Sequence, residues 1–133
     1  TRMTELAMDS VNAHKDTLDG LWMVAGPNQS NVDFVKNIIA TGVPIVSGGN
    51  IQNASLGAMI VLQSTDELNG RAAAEAASAI LSGINPGEIP VTRPSRFIAG
   101  VNIATATRLG AVIPSGVLEL AQDNVFYQQG PGN

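Results

Sequence analysis

The chain has 133 residues, a length typical of one domain that buries a hydrophobic core without disulfides or metal ions. It contains no cysteine, which excludes thiol catalysis, cysteine-ligated zinc, iron–sulfur clusters and a disulfide framework, and leaves the redox compartment open. Its formal net charge is −4 and its seven basic residues are dispersed, which disfavours nucleic acid as a partner. We expect neither a membrane span nor an intact export signal.

The first third of the sequence alternates a helix with a strand. Residues 1–14 predict a helix, and the apolar run LWMVA at 21–25 predicts a parallel strand covered on both faces. Ser30 is the predicted N-cap of a second helix that ends at Gly42, and VPIVS at 43–47 is the next strand. Because a helix precedes the first strand and residue 1 is Thr, we expect the chain to be a piece of a longer protein.

The middle third repeats this alternation. Residues 48–55 are polar and glycine-rich and predict a loop, whereas GAMIVLQ at 57–63 predicts a third strand. Ser64 and Glu67 have the spacing of a capping box at the start of an alanine-rich helix. That helix is expected to end at Gly83.

The last third begins with a segment, INPGEIP at 84–90, whose residue types favour turns. Residues 84–96 predict a surface connector, and Phe97 to Val101 predicts a further strand. Asn102 is expected to cap a helix closed by Gly110, and a short helix is expected around 115–123. Alternating helices and strands with short loops indicate an α/β fold, a parallel sheet with helices on both faces.

Two segments carry a resemblance to a known family: LNGRAAAEAASAILSGINPGEIPV at 68–91 and VNIATATRLGAVIPSGVLELA at 101–121. They resemble the tryptophan/tyrosine-type ABC-transporter substrate-binding proteins of the periplasmic-binding-protein type I superfamily. The family pattern G-x-x-P-x-x-I-P-V is matched by Gly83, Pro86, Ile89, Pro90 and Val91. The pattern N-x-x-x-A-x-x-L-G-x-x-I-P is matched by Asn102, Ala106, Leu109, Gly110, Ile113 and Pro114.

The resemblance covers about residues 18–123 and implies a flavodoxin-like lobe of a two-lobed protein that is roughly twice this length. It implies a second-lobe α/β domain with its connector at 1–96 and a return segment at 97–123. The tail at 124–133 is expected to be disordered, because its composition gives it no means of ordering itself. Closure of the two lobes would use crossover segments near 51–56 and 92–97.

The function implied by the resemblance is that of the solute-binding component of an ABC importer. Such a protein binds a small organic, amino-acid-like ligand between its lobes, delivers it to an ABC permease, and is periplasmic or extracellular, with a lipoprotein anchor in some cases. Family members commonly carry an Asp-Asn pair after the first strand described above, whereas this chain has Gly26, Pro27 and Asn28. The carboxylate that would receive a ligand ammonium group is therefore absent.

Candidate ligand-binding residues lie in three loops, because open parallel sheets bind ligands at the carboxyl ends of their strands. The loops offer neutral donors and acceptors, and the candidates are Gly26, Asn28, Gln29, Ser47, Gly48, Gly49, Asn50, Gln63 and Ser64. A purely structural interpretation stays open, in which Asn28, Ser30 and Ser64 cap helices and the glycines permit positive φ.

Other chemistry has less support. The 47–50 loop lacks the lysine and spacing of a P-loop, and His14, the single histidine, is expected to stabilise a helix end. Asp66 and Glu67 lie in a helix first turn, where carboxylates complement the dipole. We therefore expect no enzyme activity, no metal site and no cofactor.

Further interpretations concern side chains and partners. Trp22 is expected to be core, with stacking on an aromatic ligand as the alternative, and Arg93 and Arg96 are expected to be solvated, with carboxylate binding as the alternative. Two alternative functions stay open: a structural or self-assembling module that forms a homo-oligomer through its exposed interlobe face, and the ligand-sensing domain of a regulator.

Overall fold

The computed structural model describes residues 2–91 and 96–128. Within that part of the chain, the elements in order are α1 (Arg2–His14), β1 (Leu21–Met23), α2 (Val32–Ala40), β2 (Ile45–Gly48), α3 (Gln52–Leu56), β3 (Ile60–Gln63), α4 (Asp66–Leu81), β4 (Ile98–Asn102), α5 (Ile103–Arg108), α6 (Ser115–Ala121) and β5 (Val125–Phe126). The 3₁₀ turns are Pro27–Ser30 and Pro86–Glu88. Contacts divide the chain into a first unit, 1–63 with 99–133, and a second unit, 64–98.

The five strands form one sheet, in the order β1-β2-β3-β4-β5. The pairs β1–β2, β2–β3 and β4–β5 are parallel, with Leu21 opposite Ile45 and Ser47 opposite Val61. The predicted α/β class and the parallel sheet are therefore confirmed. The strands follow chain order, so they lack the reversal of the flavodoxin order 2-1-3-4-5.

Helices of the first unit cover both faces of the sheet. One core cluster joins α2, α3 and the inward side chains of β2 and β3, including Ile45 and Val61, with α1 packed against it. The other joins β4 and α6, with Leu62 packed against it. Val61 and Leu62 belong to different clusters because successive strand residues point to opposite faces.

Trp22 is not a core residue, so that prediction was wrong: its side chain is 59% exposed. Its neighbours Leu21 and Met23 pack against the first cluster, and alternation along β1 turns Trp22 to the other face. The sheet residues of the second cluster come from β3, β4 and β5. The strand β1 lies at the far edge of the sheet, away from this cluster. The continuous apolar run indicated burial on both faces, which an edge position does not provide.

Two predicted helix caps are displaced by one residue. Ser30 lies inside the 3₁₀ turn, and Asn31 caps α2 by accepting a 3.1 Å hydrogen bond from the Phe34 backbone N–H. Thr65, rather than Ser64, caps α4. Its hydroxyl accepts from the Leu68 backbone N–H at 3.2 Å, which removes the predicted capping box. The Asn102 cap of α5 is confirmed, as are the glycine ends of three helices, at Gly42, Gly83 and Gly110.

The polar segment 48–55 contains a helix that the composition did not predict. This helix, α3, is five residues long and buries Asn53 and Ala54. It connects β2 with β3 of the same sheet, so a lobe-to-lobe crossover at 51–56 was a wrong expectation. The other proposed crossover, 92–97, lies partly outside the described residues.

A short fifth strand lies within the segment that was expected to be a disordered tail. The strand β5 pairs with β4, and the Val101 backbone N–H donates to the Asn124 carbonyl at 2.9 Å. Two hydrophobic residues, Val125 and Phe126, pack against the two core clusters. Pairing and burial together order this part of the tail, whereas residues 129–133 lie outside the described part of the chain.

The second unit consists of α4 and its connector. No described residue of α4 is buried, and Glu67 and Arg71 form an exposed ion pair at 3.3 Å. Asn85 caps the 3₁₀ turn by accepting a 2.9 Å hydrogen bond from the Gly87 backbone N–H. Arg96 is exposed, as expected, while Arg93 lies outside the described residues. Among the helices that are described, none has the length and hydrophobicity needed to cross a membrane.

Candidate functional site at the carboxyl ends of the strands

The loops after β1 and β2 meet at one edge of the sheet because the two strands are parallel. The loop after β1 contains the 3₁₀ turn Pro27–Ser30, and the loop after β2 contains Gly49 and Asn50. Gln63, at the end of β3, lies at the same edge. The structure thus brings together most of the predicted ligand-binding residues of the first unit.

Gln29 joins the two loops through its side-chain amide, and only 4% of the residue is exposed. Its Nε2 donates to the Met23 carbonyl at the end of β1, at 3.0 Å, and to the Gly48 carbonyl at the end of β2. Its Oε1 accepts from the Asn50 backbone N–H at 3.1 Å. One amide therefore bonds to main-chain groups at the ends of two strands and in the loop that follows β2.

Gly49 is required beside this amide. Its φ of 141° is one that residues with a side chain rarely adopt, and a Cβ atom at this position would overlap Gln29 Oε1. Its backbone N–H donates to the Leu62 carbonyl at 2.8 Å, which ties the loop to β3. The glycine lets the loop pass close to the Gln29 side chain.

Gln63 and Asn50 order the start of α3. Gln63 Oε1 accepts a 2.8 Å hydrogen bond from the Ile51 backbone N–H. Asn50 Oδ1 accepts a 3.1 Å hydrogen bond from the Gln52 backbone N–H. Backbone donors at the beginning of a helix have no partner inside the helix, and these two side chains supply partners.

Ser47 lies beneath the loops and is fully buried. Its hydroxyl accepts a 3.3 Å hydrogen bond from Asn53 Nδ2. Asn53 Oδ1 is also buried, and it has no hydrogen-bond partner. Asn53 was not a candidate site residue, because the composition of residues 48–55 predicted a loop.

Gly26 and Asn28 form the outer part of the first loop. Gly26 is exposed with extended backbone, and its carbonyl accepts a 3.1 Å hydrogen bond from the Gln29 backbone N–H. Asn28 is half-buried, and its carbonyl accepts from the Asn31 backbone N–H at 3.1 Å. Ser64 belongs to the second unit, where its hydroxyl accepts a 3.2 Å hydrogen bond from Asn69 Nδ2.

Asn102 is a further polar residue at a strand end, and its role extends beyond the predicted cap. It is fully buried, and its Oδ1 accepts from the Thr105 backbone N–H at 2.8 Å. Its Nδ2 donates to the Ala54 carbonyl at 2.8 Å and to the Gln128 carbonyl at 3.1 Å. The position of an asparagine between a strand and a helix indicated the cap, but the two distant carbonyls are visible only in the structure.

The polar side chains that organise this edge of the first unit are neutral amides and hydroxyls. Within the described residues, no group of three or more histidine, aspartate or glutamate side chains could hold a metal ion. Contact between a ligand and the nine predicted residues stays a prediction. What the geometry provides is a set of loops whose backbone conformation is held by internal hydrogen bonds.

Comparison with known proteins shows the fold. The solved structures similar to this chain include a protein from Streptococcus pneumoniae described as an ABC domain in complex with L-Trp (21% identity, TM-score 0.64, covering 93% of this chain and 43% of that one). A conserved domain protein from Vibrio cholerae is similar at 20% identity with a TM-score of 0.59, over 93% of this chain and 42% of that one. A ligand-free, open substrate-binding protein with adhesive properties from Clostridium difficile is similar at 19% identity with a TM-score of 0.56, over 96% and 41%.

These likenesses establish an α/β fold of the kind found in periplasmic-binding-protein-like structures. This chain spans well under half the length of each of the three matched chains. No protein-family model and no curated protein matches the sequence.

Proposed function

We propose that this chain is part of a solute-binding protein that binds a small organic, amino-acid-like ligand at the carboxyl edge of its sheet. The observation that carries the proposal is the ordered pair of loops held by Gln29 in a fold similar to that of a protein bound to L-Trp. Loops that are already ordered lose little conformational entropy when a ligand binds.

The proposed contacts come from the outer surface of these loops. Gly26, Asn28, Gly49 and Asn50 are exposed or half-buried there. Because the Gly49 and Asn50 N–H groups are bonded to Leu62 and Gln29, the groups offered to a ligand are the backbone of Gly26 and Asn28 and the side-chain amides of Asn28 and Asn50. Gln29 and Ser47 lie deeper and are bonded to other protein groups. A polar, neutral surface of this kind suits the carboxylate or carbonyl of a small molecule, which backbone N–H groups bind well.

The biological setting is proposed from the resemblance to substrate-binding proteins. In that setting the chain acts without catalysis and without a cofactor, in the periplasm or outside the cell. The longer protein delivers its ligand to an ABC permease, and the remaining part of the ligand site comes from its other lobe.

Isothermal titration calorimetry of the chain with L-tryptophan and the other amino acids tests the proposal. We expect at least one amino acid to give a heat of binding that saturates. Asn50→Ala is expected to weaken that binding about fivefold or more, because the Gln52 backbone N–H loses its side-chain acceptor and the loop end becomes less ordered. Asp9→Ala, an exposed change on α1, is the matched control and should leave the affinity unchanged. Absence of binding across the series, both by this chain and by the longer two-lobed protein, would contradict the proposed function.

A second candidate function is a self-assembling module, and one observation favours it. Trp22 and Val24 are 59% and 68% exposed, at the end of an edge strand. Adjacent exposed hydrophobic side chains of this size favour contact with a partner or a second copy.

A further inference from the structure

Gln29 differs from its sequence neighbours in being almost completely buried. Pro27 and Ser30 are exposed and Asn28 is half-buried, whereas Gln29 points inward from the same 3₁₀ turn. Its amide contacts main-chain groups at positions 23, 48 and 50, which come from two separate segments of the chain. The side chain thus connects the end of β1, the end of β2 and the loop that follows β2.

The chemistry of these contacts requires an amide. Nε2 faces two carbonyl oxygens, those of Met23 and Gly48, and needs both of its protons there. Oε1 faces the Asn50 N–H and must accept. A carboxylate of the same size would place an oxygen against two carbonyl oxygens, and an apolar side chain would leave all three main-chain groups without this partner.

Gly49 is coupled to Gln29 by close packing. A Cβ atom at position 49 would overlap Gln29 Oε1 and would come within 3.1 Å of its Cδ. A side chain at 49 would therefore displace the amide, so the residue types at 29 and 49 constrain each other. The two residues were each predicted to contact ligand, but the structure shows them in contact with one another.

We propose that Gln29 is a positioning residue: it holds the loops after β1 and β2 in the one arrangement that binds ligand. This inference rests on the proposed function, because it assigns to Gln29 the order of that same site. Without the amide, the loops populate several arrangements, and the measured affinity is the intrinsic affinity multiplied by the fraction of molecules that remains competent to bind. A competent fraction of about one tenth would weaken binding about tenfold.

The test compares two variants of the 133-residue chain in which Gln29 is replaced by a side chain of similar size. Gln29→Glu replaces the two-proton donor, and Gln29→Met removes all three hydrogen bonds. Both are expected to weaken L-tryptophan binding, measured by calorimetry on the folded protein, by about tenfold or more. In Gln29→Met, the backbone N–H of Asn50 is also expected to exchange with solvent at least about tenfold faster by NMR, because its acceptor is lost.

Ile38→Val is the control for a loss of stability alone. Ile38 is buried in the first core cluster and belongs to neither loop. This variant should bind L-tryptophan with the affinity of the unmodified chain and should retain slow exchange at Asn50. A purely structural role of Gln29 predicts that both Gln29 variants bind L-tryptophan with the affinity of this control, even though Asn50 exchanges faster in Gln29→Met.

A double-substitution cycle tests the coupling to Gly49. Gly49→Ala is expected to weaken binding in the unmodified chain, and by a smaller factor when Gln29→Ala has removed the side chain that it would displace. Equal factors in the two backgrounds would overturn the coupling.

The outcomes separate this proposal from the proposed function. If the unmodified chain binds L-tryptophan or another amino acid and the Gln29 variants bind it equally well, the positioning role is wrong and the binding function stands. If no amino acid binds either to the unmodified chain or to the longer two-lobed protein, the binding function fails, and the positioning role fails with it.

Discussion

Side-chain amides complete the hydrogen bonding of main-chain groups at the carboxyl edge of this sheet. Gln29, Gln63 and Asn102 each bond to main-chain groups from other segments of the chain. Burial makes such bonds valuable, since an unpaired main-chain group away from water costs about 1–3 kcal/mol. An amide can donate and accept at once, which explains why these positions carry glutamine and asparagine.

The contribution of the Asn102 hydrogen bonds to stability is testable by substitution. Asn102→Ala removes the α5 cap and both Nδ2 bonds, and should lower the free energy of unfolding by about 2–4 kcal/mol in urea denaturation. Asn102→Asp keeps the cap acceptor but buries a carboxylate against the Ala54 and Gln128 carbonyls, so it should destabilise the chain as well. A loss below about 0.5 kcal/mol in Asn102→Ala would contradict this role.

A helix begins after a residue that has both a capping side chain and the extended backbone of an N-cap, and not simply after the first residue whose type suits a cap. Ser30 is a good capping residue by type, but it lies in the 3₁₀ turn that places Gln29 inward. Asn31 has the extended backbone that a cap requires and accepts from Phe34. The turn that organises the candidate site therefore also decides where α2 begins.

The cap of α2 is testable with two neighbouring substitutions. Asn31→Ala should lower the free energy of unfolding by about 1 kcal/mol, because the Phe34 N–H loses its partner. Ser30→Ala, an exposed change one residue earlier, should stay within about 0.5 kcal/mol of the unmodified chain. Both values come from chemical denaturation, and a larger loss in Ser30→Ala would mean that the cap is assigned to the wrong residue.

For the molecule as a whole, the edge strand β1 is the most exposed part of the sheet. The second core cluster protects the face of β4 and β5, whereas Trp22 on β1 and Val24, the residue after this strand, remain largely exposed. At the other edge, Tyr127 follows β5 and is 75% exposed. Edge strands with exposed hydrophobic side chains favour association.

We expect the isolated chain to self-associate as its concentration rises, as measured by size-exclusion chromatography with light scattering. Trp22→Ser should shift the chain toward monomer, because it removes the largest exposed hydrophobic side chain of β1. Met3→Ser, on an exposed position of α1, is the control and should leave the association unchanged. A monomer at every concentration would contradict the self-assembling function and would leave ligand binding unaffected.

The sequence alone predicted the main helices and strands and their arrangement as a parallel sheet with helices on both faces. Apolar runs located β1 to β4, a glycine followed three of the helices, and alternation of helix and strand indicated the parallel sheet. The resemblance in the last third pointed to substrate-binding proteins, and the structural likenesses agree with it at the level of fold. Periodicity carries this information because a strand or helix must bury one side wherever it is placed.

What the sequence could not decide depended on contacts between distant residues. The exposure of Trp22 follows from the edge position of β1, and the burial of Gln29 follows from carbonyls at positions 23 and 48. The two-residue strand β5 is stabilised by pairing with β4, not by its own composition. The local sequence pattern thus determined which helices and strands form. The tertiary structure decided which polar residues at their ends bond to main-chain groups and which face solvent, because these hydrogen-bond partners are distant in sequence and meet only in the folded chain.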